Sequence, residues 1–281
     1  MFSLKTPATL ASVLVTLQTQ GLDRLDAQLL LLHVLGQPLH ARAWLLAHDS
    51  DPLPPAARAK LAACVQRRLR GEPLAYICGQ KEFFGLNLTV DPRVLVPRPD
   101  TETLVEWALE VLANRVGASV IDLGTGSGAI ALALKHTRPD LQVSALDFSH
   151  EALAVARSNA QRLSLALDLH QGCWLAGVTA RFDAIVANPP YIAEHDQHLE
   201  ALTHEPAQAL VSGPDGLDDI RTIIAQAQNH LHPGGWLLLE HGFDQACAVR
   251  EALRHAGFLN AQSRRDLSGI ERCSGAMHAP V

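Results

Sequence analysis

Val186-Ala187-Asn188-Pro189-Pro190-Tyr191 is the segment of this chain whose residue types are best suited to chemistry. Two consecutive prolines fix the backbone and remove two N–H donors, which leaves carbonyls at this edge free to accept hydrogen bonds. The Asn188 side-chain oxygen adds an acceptor beside the Pro189 carbonyl. A planar NH2 group, as in a carboxamide or an exocyclic base amine, needs two acceptors if both hydrogens are to be engaged, and this turn can supply both. Such geometry steers the nitrogen lone pair out of conjugation and toward an electrophilic methyl group in line with a sulfonium leaving group. Catalysis is then mainly positioning and electrostatics, with no obligatory histidine base. Tyr191 offers an aromatic wall for a planar substrate group and cation–π attraction to a sulfonium.

Ile121-Asp122-Leu123-Gly124-Thr125-Gly126-Ser127-Gly128 puts three alternating glycines between a strand-like and a helix-like segment. Glycines there let the backbone turn sharply and come close to a ligand, with helix N–H groups pointing at it. Gly124, Gly126 and Ala129 also satisfy the dinucleotide fingerprint, so the glycines alone leave an NAD-binding reading open. Asp147 follows the second strand, where a carboxylate can accept hydrogen bonds from both ribose hydroxyls of an adenine nucleoside. NAD and S-adenosylmethionine sites both want this, and Ser149 is the better N-cap for the helix that begins with Glu151. Trp174, after the third strand, either packs against an adenine face or is an ordinary core or surface tryptophan. The Asn188 to Tyr191 turn separates the two cofactors, because hydride transfer has no use for it.

The elements that must position these residues alternate between two periodicities. Strand-like stretches at Ser119 to Leu123, Gln142 to Leu146, Ala184 to Ala187 and Trp236 to Glu240 are separated by helical stretches up to His136, from Ser149 to Leu163 and around Asp218 to His230. That alternation predicts an α/β fold with helices on both faces of a mostly parallel sheet. Ahead of it, Leu25, Leu29, Leu32 and Leu35 recur at helical spacing, and a second helix is expected from Pro54-Pro55 to Arg70, ending at Gly71. From Lys81 to Val96 short extended pieces with Gly85-Leu86-Asn87 and Asp91-Pro92 as turns predict a β-hairpin linker. The expected organisation is a helical domain over 1–75, a hairpin linker over 76–97 and a catalytic domain over 98–281.

Composition bounds the partners. The chain has 281 residues, is 48% hydrophobic and carries a net charge of -6, the profile of a globular protein. Residues 1–80 hold eight basic and five acidic side chains, whereas the rest holds 15 basic and 24 acidic ones. An acidic larger part argues against direct nucleic-acid binding, since phosphate contacts depend on Lys and Arg. Between Arg58 and Arg70 lie five basic residues and no acid, either a solvated helix face or a contact surface for a negatively charged partner. Five dispersed cysteines without a Cys-x-x-Cys pair indicate reduced thiols and a cytoplasmic location. The longest leucine run is far short of the ~20 apolar residues of a membrane span. At the N-terminus Lys5 is followed by Thr6, Pro7 and further hydroxyl residues, unlike an export signal.

With those residues in view, the sequence resembles the HemK/PrmC family, the protein-(glutamine-N5) methyltransferases that modify the Gly-Gly-Gln motif of peptide chain release factors. The resemblance is carried by Arg70 to Ile77, Phe83-Phe84-Gly85, Val96-Pro97-Arg98-Pro99-Asp100-Thr101-Glu102, Gly124 to Gly128, Asp147, Asn188 to Tyr191 and Glu240-His241-Gly242, and covers nearly the whole chain. It implies a class I, Rossmann-like seven-stranded methyltransferase domain preceded by a small α-helical domain that recognises the substrate. By that likeness Gly124, Thr125, Gly126, Ser127, Gly128, Asp147, Trp174 and Asn188 contact S-adenosyl-L-methionine. Asn188, Pro189, Pro190 and Tyr191 hold the glutamine amide. Arg98 and Glu102 either shape the cofactor pocket or form a salt-bridged start to a helix from Asp100 to Arg115. Where the family often has an acidic residue before the tryptophan, this chain has Cys173.

Three other readings compete. An amino-methyltransferase acting on RNA or DNA presents the same NH2 problem but expects a basic groove or a target-recognition domain. A non-catalytic adaptor with this fold would be expected to lose Asp147 or Asn188. Metal chemistry is raised by the 14 histidines, above all His195, His198 and His204, yet there is no His-Glu-x-x-His pattern and sulfonium methyl transfer needs no metal, so a polar substrate-facing loop is expected. No heptad or large apolar strand edge is evident, and the expected state is a monomer.

Overall fold

The structure, a computed structural model, describes residues 8–280. Lys5, Thr6 and Pro7, read above against an export signal, lie outside the described residues, as does the start of the expected helical domain. The chain divides into two compact units between Gly79 and Gln80.

The first unit is helical: α1 (Leu10–Thr19), α2 (Arg24–Val34), α3 (Arg42–Ala47), α4 (Pro55–Leu69) and the short α5 (Leu74–Cys78). Pro55 opens α4 where a helix has no use for an N–H, and Thr9 and Asp23 cap α1 and α2 through their side chains. The buried stripe of α2 is Asp26, Ala27, Leu30, Leu31 and Leu32, whereas Leu25 is exposed, so the expected stripe through Leu25 is out of phase. A charge is responsible for the shift. Arg68 of α4 reaches Asp26 in an ion pair, which draws a carboxylate into the seam that hydrophobicity alone assigns to leucine. Arg67 is likewise bonded to Glu72 at 2.7 Å, so Arg67 and Arg68 of the basic run are neutralised inside this unit.

The second unit opens with a hairpin of β1 (Gln80–Phe83) and β2 (Leu86–Thr89), with Phe83 paired to Leu86. Its two loop residues, Phe84 and Gly85, both have positive φ, the two-residue turn that matches strand twist. Phe84 is an unusual occupant, and its N–H donates to Glu102 Oε1 at 3.0 Å. The hairpin is fastened to its own unit rather than hanging as a linker. Asn159, 0% exposed on α8 (His150–Leu163), accepts from Thr89 N–H at 2.7 Å and donates to the carbonyls of Thr89 at 2.9 Å and Ser127 at 3.0 Å. The helical unit thus includes α5, and the hairpin belongs with the sheet.

After a 3-10 turn at Pro99–Thr101 come α6 (Glu102–Val111), β3 (Ser119–Leu123), α7 (Ala129–Thr137), β4 (Gln142–Asp147), α8, β5 (Asp168–Gln171) and β6 (Phe182–Ala187). Then follow α9 (Asp218–Ala227), β7 (Leu231–Glu240), α10 (Ala246–His255), β8 (Leu259–Arg265) and β9 (Glu271–Met277). The seven strands lie in the order β5-β4-β3-β6-β7-β9-β8, all parallel except β9, which runs antiparallel to both neighbours. The expected helix from Asp100 to Arg115 is shorter at both ends, because Pro99 starts a 3-10 turn and the chain leaves the helix after Val111.

The central strands are buried on both faces and read as apolar runs: Val120, Ile121 and Leu123 in β3, Ile185 to Ala187 in β6, Leu237 to Leu239 in β7. On one face they meet Ile220, Ile223 and Ile224 of α9 and Val249 and Leu253 of α10. Successive crossovers run outward from β3 through β4 to β5, then start again on its other side at β6. At such a switch the loops after β3 and β6 diverge and leave a crevice outside the carboxyl ends of the strands.

Asn159→Ala should remove these three hydrogen bonds to backbone, along with one from Arg162 Nη2 at 3.2 Å, and strand buried backbone groups. A loss of about 1–3 kcal/mol in urea unfolding is expected; an unchanged midpoint would show that the hairpin is held by other means.

Candidate active site

A cavity of about 350 Å³ opens at that switch point, within the size range of small-molecule sites. Gly124, Thr125, Gly126 and Ser127 from the turn after β3, Asp147 from the end of β4, Trp174 from the loop after β5, and Asn188 and Pro190 after β6 all line it. Gly128, Pro189 and Tyr191 do not. Gly128 instead sits at the N-cap of α7 with φ +84, facing Leu132 and Ala156.

The glycine turn is tied down from both sides. Gly124 and Thr125 N–H groups donate to the Leu146 carbonyl at 2.8 and 3.0 Å, and Gly126 N–H donates to Asp147 Oδ2 at 2.8 Å. Gly126 has φ +55 and no atom within 4 Å of where a Cβ would stand, so its surface is left to the cavity. Asp147 Oδ1 accepts from Ser149 N–H at 2.8 Å, while Ser149 itself caps α8 by accepting from Ala152 N–H at 3.2 Å. The Asp147 carboxylate is thus held by two backbone donors and retains lone pairs toward the cavity. Burial raises its pKa, and the two N–H groups oppose that rise.

Trp174 takes a left-handed backbone, φ +50, which is uncommon for a bulky residue. Its ring closes over Gly124, where a Cβ would come within 3.3 Å of it, and its indole N–H donates to Asp219 Oδ1 at 3.0 Å. Phe148, 70% exposed, adds a second ring on the cavity wall. No motif marks Asp219 or Phe148 in the sequence, the first arriving from α9 and the second simply following Asp147.

Around the Asn188 turn the structure assembles groups from five segments. Asn188 Nδ2 donates to Thr101 Oγ1 at 3.2 Å. Tyr191 faces away from the cavity: its hydroxyl donates to Glu240 Oε1 at 3.4 Å and its carbonyl accepts from Gln245 Nε2 at 3.0 Å. Gly216 passes so close that a Cβ would stand 2.2 Å from that carbonyl, which only glycine at φ +75 allows. Burial raises the Tyr191 phenol pKa, so it stays protonated and can donate. The Tyr191 hydroxyl is thus turned to a buried carboxylate.

Arg98 and Glu102 do not pair with each other. Arg98 is bound to Glu205, which is 7% exposed and also accepts from Val96 N–H at 3.0 Å, whereas Glu102 holds the hairpin turn. Glu205 was invisible in the sequence, yet it joins two cavity-lining stretches, Val94 to Arg98 and Pro206 to Ala209. His195, His198 and His204 lie in the same loop; His198 is bonded to Asp196 at 2.6 Å. Among the described residues no group of three or more His, Cys, Asp or Glu side chains is arranged to hold a metal ion. No helix among them is long and apolar enough to cross a membrane.

Comparison with known proteins places this geometry. Residues 101–256 match the Methyltransferase small domain family and residues 9–79 match the PrmC N-terminal domain. A release factor glutamine methyltransferase of Bordetella pertussis is 50% identical over 91% of this chain and 95% of its own length. One from Burkholderia pseudomallei is 47% identical over 96% of each chain. The chain belongs to the release factor glutamine methyltransferases. Solved structures share its fold: a methyltransferase from Pyrococcus furiosus has a TM-score of 0.53 at 21% identity, covering 77% of this chain and 98% of its own. The 16S rRNA N2 G1207 methyltransferase of Thermus thermophilus, solved with AdoMet and guanosine, has a TM-score of 0.55 at 20% identity over 71% of this chain and 49% of its own. Cys173 is exposed beside Trp174, and Asp219 is the carboxylate that the structure brings to the tryptophan.

Asp122 supports the glycine turn from beneath. It is 0% exposed, accepts from Thr125 Oγ1 at 2.6 Å and Ala131 N–H at 3.3 Å, and burial pushes its pKa up to about 7. A raised carboxyl pKa means the folded state keeps a proton that the unfolded chain has released. Its stabilising contribution is therefore complete below the ordinary carboxyl pKa of about 4 and is lost as pH rises toward about 7, with a slope of up to about 1.4 kcal/mol per pH unit. Asp122→Asn should flatten stability against pH across that window. Parallel urea-unfolding profiles for the two proteins would contradict it.

Proposed function

We propose that the protein transfers a methyl group from S-adenosyl-L-methionine to the side-chain amide nitrogen, N5, of the glutamine in the Gly-Gly-Gln motif of peptide chain release factors. The observation that carries this reading is the position of Asn188: it lines the same cavity as the glycine turn and Asp147, and it begins an Asn-Pro-Pro-Tyr turn with two acceptors for an NH2 group. The names of relatives that match nearly the whole chain agree with it. On this reading the protein works in the cytoplasm, and the helical unit serves to recognise the release factor.

The cavity's own chemistry fits the cofactor. Open glycine surface at Gly126 admits a close approach, Asp147 offers acceptors for ribose hydroxyls, and Trp174 and Phe148 give flat apolar faces for a purine. When bound, S-adenosylmethionine supplies an electrophilic methyl group on a sulfonium. The residues of this chain do the rest. Asn188 Oδ1 and the Pro189 carbonyl accept the two amide hydrogens and hold the nitrogen lone pair toward the methyl carbon. A nitrogen taking up a methyl group would gain positive charge, and the two acceptors would stabilise that charge more as it develops than in the resting amide. The alkylated nitrogen is strongly acidic and releases its proton to water, so no side chain has to act as base.

Transfer of a labelled methyl group from S-adenosylmethionine to a purified release factor tests the reading directly. Label should appear on the native factor and be lost when its Gly-Gly-Gln glutamine is changed to alanine. Label on RNA or DNA with none on the factor would replace this reading by the nucleic-acid amino-methyltransferase. Asn188→Ala should lower kcat on the order of 100-fold, the scale of one lost preorganised hydrogen bond, and leave most of the cofactor affinity. Asp147→Ala should instead weaken S-adenosylhomocysteine binding in calorimetry by about 10- to 100-fold, the value of charge-assisted hydrogen bonds.

A further inference from the structure

We propose that Thr101 and Glu240 are positioning residues that fix which end of the Asn188 amide faces the substrate. The inference rests on the reading of Asn188 as an acceptor for the substrate NH2. An asparagine amide has two ends of nearly equal shape but opposite chemistry, and only its oxygen can serve that role. Something must therefore decide the orientation of the amide before the substrate arrives.

The structure lines up Glu240, Thr101 and Asn188 so that the direction of one hydrogen bond can be set by charge. An ionised carboxylate can only accept, and Glu240 sits 1% exposed at the end of β7. The Thr101 hydroxyl, on a residue 4% exposed, lies close enough to that carboxylate to stabilise its charge, which favours turning its hydrogen toward Glu240. A hydroxyl has one hydrogen, so with it given to Glu240 the Thr101 oxygen can only accept. What it accepts from is Asn188 Nδ2 at 3.2 Å. With the NH2 end committed to Thr101, the oxygen is the end left for the cavity that Asn188 lines.

Thr101 has no competing local duty. It occupies the N-cap position of α6, where threonine ordinarily accepts from a helix N–H, yet its side chain makes no capping bond. The hydroxyl is turned inward to the Asn188 amide instead. Glu240 is equally hard to explain as a stability device: among the described residues Oε2 has no hydrogen-bond partner, and Oε1 accepts from the Tyr191 hydroxyl at a long 3.4 Å. A buried, half-satisfied carboxylate is costly, which marks it as a group retained for a task. Asp100 and Arg272 also act on it electrostatically, and the Cys273 thiol lies in its field. Burial pushes its pKa up to about 7. A protonated Glu240 can donate to Thr101, which then becomes free to donate to the Asn188 oxygen and turn the NH2 end to the substrate.

The test measures methyl transfer to a purified release factor, with S-adenosylhomocysteine affinity by calorimetry and melting temperature alongside. Thr101→Val keeps the shape and deletes the hydroxyl; Thr101→Ser keeps the hydroxyl. Thr101→Val should lower kcat about tenfold or more with cofactor affinity within about twofold of native, and Thr101→Ser should recover most of the rate. The native kcat should fall as pH drops from about 8 to about 6, and Glu240→Gln should abolish that fall. A Thr101→Val protein with native kcat, or a Thr101→Ser protein as impaired as it, would overturn the proposal. Should the valine variant not fold, the serine variant and the pH profile decide, and a pH dependence unchanged in Glu240→Gln counts against the proposal. If the native protein itself leaves the release-factor glutamine unlabelled, the functional reading fails and not this inference alone.

Discussion

An NH2 group carries two hydrogens in one plane, and holding it still requires two acceptors whose own positions are fixed. On the proposed reading that constraint orders most of the catalytic unit. The two acceptors belong to consecutive residues, Asn188 and Pro189, at the carboxyl end of β6, a strand buried on both faces. Its parallel neighbours β3 and β7 end at the same edge and bring the glycine turn on one side and Glu240 on the other. The double proline removes donors that would compete, and Gly216 and Gln245 fix the Tyr191 carbonyl that closes the turn.

Buried and half-buried acceptors recur as the fasteners of this site. Asp122 holds Thr125 and the start of α7, Asp147 holds Gly126 and Ser149, and Glu205 holds Val96 and Arg98. Asn159 does the same for the hairpin. Each takes up backbone N–H groups or a side-chain donor that a loop cannot satisfy internally, and each fixes a loop near the cavity at the expense of burying a polar group. Loops fixed in this way can hold groups to within a fraction of an ångström, which is what a positioning mechanism needs. His241 and Ser274 extend the pattern, bonded at 2.8 Å, by tying the end of β7 to β9.

How much of this was legible depends on whether the signal was local. The glycine turn, Asp147 and the Asn-Pro-Pro-Tyr segment are short-range patterns, and the buried parallel strands β3, β6 and β7 read as apolar runs. β5 gives no such run because it is an edge strand, with Asp168, His170 and Gln171 exposed. β9 was hidden for a different reason. Its centre is Cys273-Ser274-Gly275-Ala276, small residues chosen because Leu238 and the Trp107 ring press on Gly275, where a Cβ would meet them at 2.6 and 3.0 Å. The phase of α2 departs from its leucine spacing because Asp26, paired with Arg68, takes a place in the buried seam. Glu205 and Asp219 join the site across long sequence separations, so no spacing rule could find them. Thr101 and Glu240 stood in recognisable segments, but their tasks depend on the direction of hydrogen bonds that only the packed structure defines.

The most direct test of the two-acceptor account is a crystal structure of the protein with S-adenosylhomocysteine and a release factor. The account predicts the glutamine amide nitrogen within about 3.2 Å of both Asn188 Oδ1 and the Pro189 carbonyl, in the plane of the amide. A glutamine whose oxygen faces Asn188, or whose nitrogen meets neither acceptor, would contradict it.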